Sequence, residues 1–389
     1  MADHIGQRVA ARRRARRMTQ QDLARESYIS LVMVKSIERG ARKPSPVLLE
    51  ALASALSVDA SRLDPAYAGT HHRVHTALPR ISAAIAGYDV PLDPPSRPMA
   101  ELRKAVGDAI RWRLAAQYGH IANAAPRLLA DALGHLHAAA GRGRTEAARL
   151  VADAARAADA VAYKYGAHDL SARLIDVMRW AADQTGDPDV IATAAYVRAE
   201  TFLAAQAHRA GPAALERALD AAAGAGSGQA AAVRGALYMR TAVVAARAGN
   251  AAAAYTHLRE AGRLADGLGE DVYLGTAFGP SSVRIHEVAV AVSLGREHIG
   301  HALEVAHTWK PGEEIPAERR SGFYIELGRA QLWAGRPDDA FESLKVARKL
   351  APQHVREHPW ARADVETIHR IKRADAESLS TFAKWIGAV

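Results

Sequence analysis

The chain has 389 residues, no cysteine, 49% hydrophobic and 24% charged residues, and a formal net charge of +9. That length admits two or three domains, the composition is that of a folded rather than a disordered chain, and the lack of thiols excludes disulfides, thiolate metal sites and a cysteine nucleophile. No apolar run approaches the roughly 18 residues that span a bilayer, and the opening Met1-Ala2-Asp3-His4-Ile5 lacks a secretory pattern, so a cytoplasmic protein with no membrane partner is expected.

The charge is unevenly placed. Residues 1–43 hold eleven Lys and Arg against four Asp and Glu, a net +7, which leaves +2 for the rest of the chain. A basic excess packed into one short segment suits a polyanionic partner; a solvated arginine-rich helix face is the alternative at this point.

Residues 5–64 read as five short helices. Ile5, Val9 and Met18 give the first a narrow apolar face beside the run Arg12-Arg13-Arg14-Ala15-Arg16-Arg17. Thr19-Gln20-Gln21-Asp22 is a capping box ahead of the apolar pair Leu23-Ala24. A turn at Tyr28 precedes Ile29, and Ser30 caps a third helix with Val34 and Ile37 facing inward. Gly40 ends that helix as a left-handed cap. Ser45-Pro46 then opens a fourth, with Leu49, Leu52, Ala53 and Leu56 as its core stripe. Two short helices joined by a tight turn, the second with its outer face free, have the geometry that enters a major groove.

Asp89-Val-Pro-Leu-Asp-Pro-Pro-Ser-Arg-Pro-Met99 carries four prolines in eleven residues and predicts a connector. From about residue 100 the chain is rich in Ala, Leu, Arg and Glu, with Gly and Pro between amphipathic runs, and shows no period-2 alternation. In 321–354, Tyr324, Leu327, Gly328, Gly335, Ala340, Leu344, Ala347 and Pro352 fall at the spacings of the roughly 34-residue tetratricopeptide unit. Residues 235–268 repeat the scheme with Gly249 at the turn, 281–311 more loosely with turn residue Gly295, and degenerate pairs are expected over 150–184, with turn residue Gly166, and 190–223. The fold predicted is all-α: a five-helix DNA-binding domain over 1–68, a linker over 69–99, and a right-handed tetratricopeptide-like superhelix over 100–389.

Arg8-Val9, Thr19-Gln20, Leu23-Ala24, Ile29-Ser30, Ile37-Glu38-Arg39-Gly40 and Pro46 to Leu56 resemble the phage repressor/Cro type of helix-turn-helix. Tyr28 departs from it, standing where glycine is usual. The resemblance implies that Gln20 holds a phosphate at a helix N-terminus, that Arg13, Arg39, Arg42 and Lys43 clamp the DNA backbone, and that Leu31, Val32, Met33, Lys35 and Ser36 read bases. The whole arrangement is similar to the helix-turn-helix/tetratricopeptide regulators of actinobacteria, including the segment Phe278-Gly-Pro-Ser-Ser-Val-Arg-Ile-His286, although Ser282 stands where related chains often carry Asn. Some neighbouring regulators of this kind bind signalling peptides through asparagines, and here Asn occurs only at 123 and 250.

These readings lead one to expect a dimeric transcription regulator on a palindromic double-stranded operator, responsive to a small molecule or peptide. The alternative is a scaffold whose repeats bind a partner protein and whose helix-turn-helix localises it. In a tetratricopeptide superhelix the first helix of each pair lines the concave side, so Arg240, Ser282, His286 and Arg329, with Phe278 at the rim, are the expected effector contacts. No phosphate loop, dinucleotide fingerprint or nucleophile elbow appears. His71, His72, His75, His298 and His301 lack completing acids, so neither enzymatic activity, nor a metal, nor a cofactor is expected.

Overall fold

A computed structural model describes residues 4–56, 58, 60–64, 70–90, 94–207, 209–222, 226–372 and 377–389. The helices are α1 (Ile5–Ala15), α2 (Gln20–Ser27), α3 (Leu31–Glu38), α4 (Pro46–Ala55), α5 (Thr70–Ala84), α6 (Met99–Leu114), α7 (Tyr118–Ala138), α8 (Gly141–Lys164), α9 (His168–Thr185) and α10 (Pro188–Ala204). They continue as α11 (Ala210–Ala221), α12 (Gly228–Arg247) and α13 (Ala251–Ala265), then a hairpin of β1 (Asp271–Tyr273) and β2 (Thr276–Phe278). The chain ends with α14 (Pro280–Leu294), α15 (Ile299–Thr308), α16 (Ala317–Trp333), α17 (Pro337–Leu350), α18 (Pro352–Glu357), α19 (Pro359–Ile371) and α20 (Glu377–Ile386). Among the described residues the fold is all-α apart from that hairpin.

Two compact units result: Met1–Arg73 with Val365–Val389, and Val74–Asp364. This division differs from the expected one at both ends. The segment expected as a linker contains α5, and residues 365–389 group with the N-terminal unit rather than with the second. The expected boundary at 68/69 and the connector's Pro91, Leu92 and Asp93 lie outside the described residues.

In the first unit Val9, Leu23, Val34, Ile37, Leu52 and Leu63 are fully buried in one core. The capping box forms as its sequence requires: Asp22 N donates to Thr19 Oγ1 at 3.1 Å and Thr19 N to Asp22 Oδ2 at 2.9 Å. Ser30 Oγ caps α3 by accepting from Met33 N at 3.2 Å. Tyr28 takes the left-handed conformation (φ 55°) that this turn demands, a strained choice for a bulky residue. A fifth helix appears as a single 3-10 turn, Ala60–Arg62. Gly6 lets α1 meet α3, since a Cβ there would run into the Ile37 carbonyl.

Arg13 ties the unit together. Its Nε and Nη2 donate to Glu38 Oε1 and Oε2 at 2.7 and 2.9 Å, and its Nη1 donates to Met18 O at 2.8 Å. Gln20 Nε2 also donates to Glu38 Oε2, at 2.7 Å, so α1, α2 and α3 share one carboxylate. Burial pushes the Glu38 carboxyl up, but the hydrogen bonds from Arg13 and Gln20 outweigh it and hold the group below its ordinary value.

In the second unit, helices adjacent in sequence pack as pairs, notably α8 with α9, α12 with α13 and α16 with α17, while α10, α12, α14 and α16 also pack side by side in series. The pair boundaries match the expected turns: Gly166, Gly249 and Gly335 each have φ of 76°. Alanine sets the spacing. Ala154, Ala155, Ala158, Ala242, Ala340 and Ala347 are all fully buried, and at Gly328 a Cβ would press on the Ala340 carbonyl. The series curls back on itself: α16 packs against α6, Gly119 N donates to Gln353 Oε1 at 3.1 Å, and Lys164 Nζ lies 3.2 Å from Glu318 Oε1.

The hairpin pairs Asp271 with Phe278 and Tyr273 with Thr276. Its two turn residues, Leu274 and Gly275, both have positive φ (44° and 70°), as a two-residue hairpin turn favours. Phe278 fills the space that Gly235 leaves on α12.

Two stability predictions follow from these contacts. Glu38→Gln leaves Arg13 (side chain 11% exposed) without its counter-ion and should cost roughly 3 kcal/mol, read as faster amide hydrogen exchange across residues 20–38. Because the folded carboxyl is depressed, its contribution is full above the ordinary value of 4.5 and fades as pH falls through the lower folded value, so the cost of the substitution should shrink in acid. Unchanged exchange would show that the pair contributes nothing. Gly235→Ala forces a methyl into the buried Phe278 ring and should lower stability by about 1–3 kcal/mol in thermal unfolding of the full chain.

Candidate nucleic-acid interface and effector cavity

On α3, Val34 and Ile37 anchor the helix to the core while Val32 stands 76% exposed beside exposed Lys35. Ser36 is half-buried, and Leu31 and Met33, also half-buried, pack against the core. Of the five expected base readers, Val32 and Lys35 therefore face outward, with Ser36 at the edge. Around Gly40 (φ 76°), Arg39, Arg42 and Lys43 form an exposed basic rim.

Arginine has two distinct uses in this unit. Arg13 is buried in the Glu38 pair and is a positioning residue rather than a free clamp. Arg8 Nε donates to Leu63 O at 2.7 Å, and Arg16 Nη1 to Ala55 O at 2.6 Å, so these also tie elements together. Arg12, Arg14 and Arg17, which the sequence reading left unassigned, are exposed. Gln20 is half-buried with one amide N–H committed to Glu38, at the first turn of α2.

The second unit encloses a cavity of about 260 Å³. It is lined chiefly from the first helix of each pair, α8, α10, α12, α14 and α16, with α6, α7 and α18 closing it. Tyr196 is one of its lining residues. Arg319 Nη2 donates to the Tyr196 hydroxyl at 2.5 Å, and the Arg240 and Arg156 guanidinium carbons lie 4.3 and 5.8 Å from the Tyr196 ring centroid. Burial pushes the phenol up, but Arg240, Arg319 and Arg156 outweigh it and bring its pKa down to about 8. Arg156 is itself lowered to about 9 by burial and by Arg113. At another wall, burial raises Glu326 to about 7 against the pull of Arg247 and Arg329.

The five expected effector contacts separate. Arg240 and His286 line the cavity. His286 is driven down to about 3 by burial and by Arg319, so its ring is neutral, and Nδ1 lies 2.8 Å from Ser282 O, where it donates and leaves Nε2 as an acceptor. The other three are structural. Phe278 is fully buried in the core rather than at a rim. Ser282 lies in the first turn of α14 and is held by Glu270, its N and Oγ donating to Glu270 Oε2 and Oε1 at 2.9 and 2.5 Å. Arg329 is held by Asp364 at 2.9 and 3.1 Å and covers the Trp360 ring.

Sequence reasoning missed Tyr118, Arg156, Tyr196, Glu318 and Arg319. One signal was available: Asp153, Arg156 and Asp159 recur at helical spacing in an alanine run, a charged stripe where only a packed face would be expected. Nothing local joins that stripe to Tyr196 or Arg319, which lie on other helices.

Residues 9–63 match the helix-turn-helix family model. No curated protein matches the chain. Among solved structures, PlcR of Bacillus thuringiensis in complex with the peptide PapR7 and DNA is 14% identical, the match covering 68% of this chain and 95% of that one at a TM-score of 0.30. The family match covers the α1–α4 core and its exposed α3 face, so the N-terminal unit carries a helix-turn-helix domain.

Proposed function

We propose that the chain is a sequence-specific, DNA-binding transcription regulator, acting in the cytoplasm as a homodimer on a palindromic double-stranded operator. The observation that carries this reading is the α3 face: Val32 and Lys35 project outward from a helix pinned by Val34 and Ile37, with Arg39, Arg42 and Lys43 beside it. Apolar Val32 suits a thymine methyl, and the basic rim suits phosphates. In this reading the paired helices are tetratricopeptide-like repeats, and their central cavity holds an effector that modulates operator binding. The chain is then a binding protein, with no catalytic role assigned to any residue.

The test is binding of the full chain to sites selected from a randomised duplex pool, measured across salt concentrations. About six phosphate contacts give a log–log salt slope of about −5. Arg42→Ala combined with Lys43→Ala should flatten that slope by about 2 and weaken all sequences alike. Arg13→Gln should lower affinity through the fold while leaving the slope in place. A chain that selects no sequence, or a double variant with an unaltered slope, would overturn the assignment.

Base preference should depend on the outward residues of α3. Val32→Ala or Lys35→Ala is expected to change discrimination by about 1–3 kcal/mol at particular base pairs, read by repeating the site selection. Leu31→Ala should instead act through stability, because that side chain packs on the core. Identical selected sites for wild type and Val32→Ala would show that α3 is docked in another register.

A further inference from the structure

We propose that the cavity of the second unit binds a small organic anion, bearing a carboxylate or phosphate, through Arg156 and Arg240 beside Tyr196. The inference rests on the effector reading above and gives the effector a chemical class. Four observations support it.

The first is an imbalance of charge. Arg113, Arg156, Lys164, Arg240, Arg247 and Arg319 line the cavity against Asp159, Glu200, Glu318 and Glu326. Burial opposes the charged form of two of those acids. Burial, ahead of repulsion from Glu200, raises Asp159 well above the usual range, and burial brings Glu326 to about 7.

The second is what the arginines touch. Arg156 donates to Leu274 O and Thr276 Oγ1, both at 2.6 Å, and Arg113 donates to Gly275 O. All three acceptors are neutral, and the one acid outside the cavity lining whose charge acts on both guanidinium groups is the buried Asp153, itself raised by burial. Arg240 lies 3.8 Å from Glu200, beyond hydrogen-bond range, and its buried Nε has no acceptor. Buried guanidinium groups with neutral partners are costly unless an anion joins them, and their planar fork matches carboxylate and phosphate oxygens.

The third is an unpartnered donor. The Tyr118 side chain lines the cavity at 1% exposure, and its hydroxyl makes no hydrogen bond. Buried hydroxyls are ordinarily satisfied. A ligand oxygen would satisfy this one.

The fourth is size. At about 260 Å³ the cavity falls just below the range of roughly 300–1,000 Å³ that holds drug-sized ligands. It suits a compact molecule. Tyr163, Tyr196 and Phe323 supply aromatic walls, which favour a planar body behind the anionic group.

The experiment uses the full chain, with inorganic phosphate and benzoate as probes and chloride at matched ionic strength as control, read by calorimetry and thermal unfolding. At least one probe should bind saturably and raise the melting temperature above the chloride control. Phosphate alone or benzoate alone would each support the site and identify its preferred head group. Arg240→Gln, with folding verified by circular dichroism, should weaken that binding at least tenfold, and Arg240→Lys should recover part of it. Saturable binding by neither probe overturns the inference, as does equal binding by wild type and Arg240→Gln. Operator binding measured in the same buffers separates the two readings. Operator binding without anion binding removes the anion site alone. Anion binding with unchanged operator affinity keeps the site but removes its effector role.

Discussion

The helices of the second unit meet over methyl groups. With Ala154, Ala155, Ala158, Ala242, Ala340 and Ala347 fully buried, backbones approach closely and the long side chains between them have few places to go. On α8 the alanines take the helix contacts, and Arg156, Asp159, Tyr163 and Lys164 are left on the side that faces the cavity. The same division recurs on α12, where Ala242 and Ala245 pack in the core while Arg240 and Arg247 line the cavity. Close packing on one face of each helix thus concentrates charge on another. The cavity is a consequence of how the helix pairs pack.

The N-terminal unit solves a related problem with opposite means. Its apolar core is small, and the arginines that make it basic also hold it together. Arg13 spends its donors on Glu38 and Met18 O, and Arg8 and Arg16 close on backbone carbonyls. Charge count alone therefore overstates the surface available to DNA. What remains exposed clusters after α3 as Arg39, Arg42 and Lys43, and along α1 as Arg12 and Arg14. The Glu38 carboxylate fixes the angle at which α3 is presented, because it takes hydrogen bonds from both α1 and α2.

Local chemistry in this sequence was legible, and long-range chemistry was not. The capping box at Thr19–Asp22, the Ser30 cap, the left-handed Gly40 and the turn glycines at 166, 249 and 335 all follow from residues within a few positions of one another. Arg13 was misread because its partner lies 25 positions away, and an arginine in an arginine run carries no mark of burial. Phe278 and Ser282 were misread for the same reason: the hairpin that places them has three-residue strands, too short for alternation to show. α5 was hidden by Pro79 inside it and by the proline-rich stretch that follows. The cavity gathers its lining from helices spread between Arg113 and His358, so one or two members per helix were all that any local pattern could reveal.

An effector that binds buried cations acts first on the stability of the unit that holds it. At a hundredfold its Kd a ligand adds about 2.7 kcal/mol to whichever packing it prefers, which is a large fraction of the stability of an ordinary domain. It shifts function only as far as its affinity differs between two arrangements of that unit. The residues able to carry such a difference are those that touch both the cavity and the packing around it. Arg156 joins the cavity to the hairpin turn through Leu274 O and Thr276 Oγ1. Arg247 lines the cavity and lies 4.3 Å from the centre of the Trp360 ring, whose other approach is taken by Arg329 at 4.4 Å. An anion that draws Arg156 or Arg247 inward competes with the hairpin and with Trp360, so binding and repacking are coupled through the same guanidinium groups.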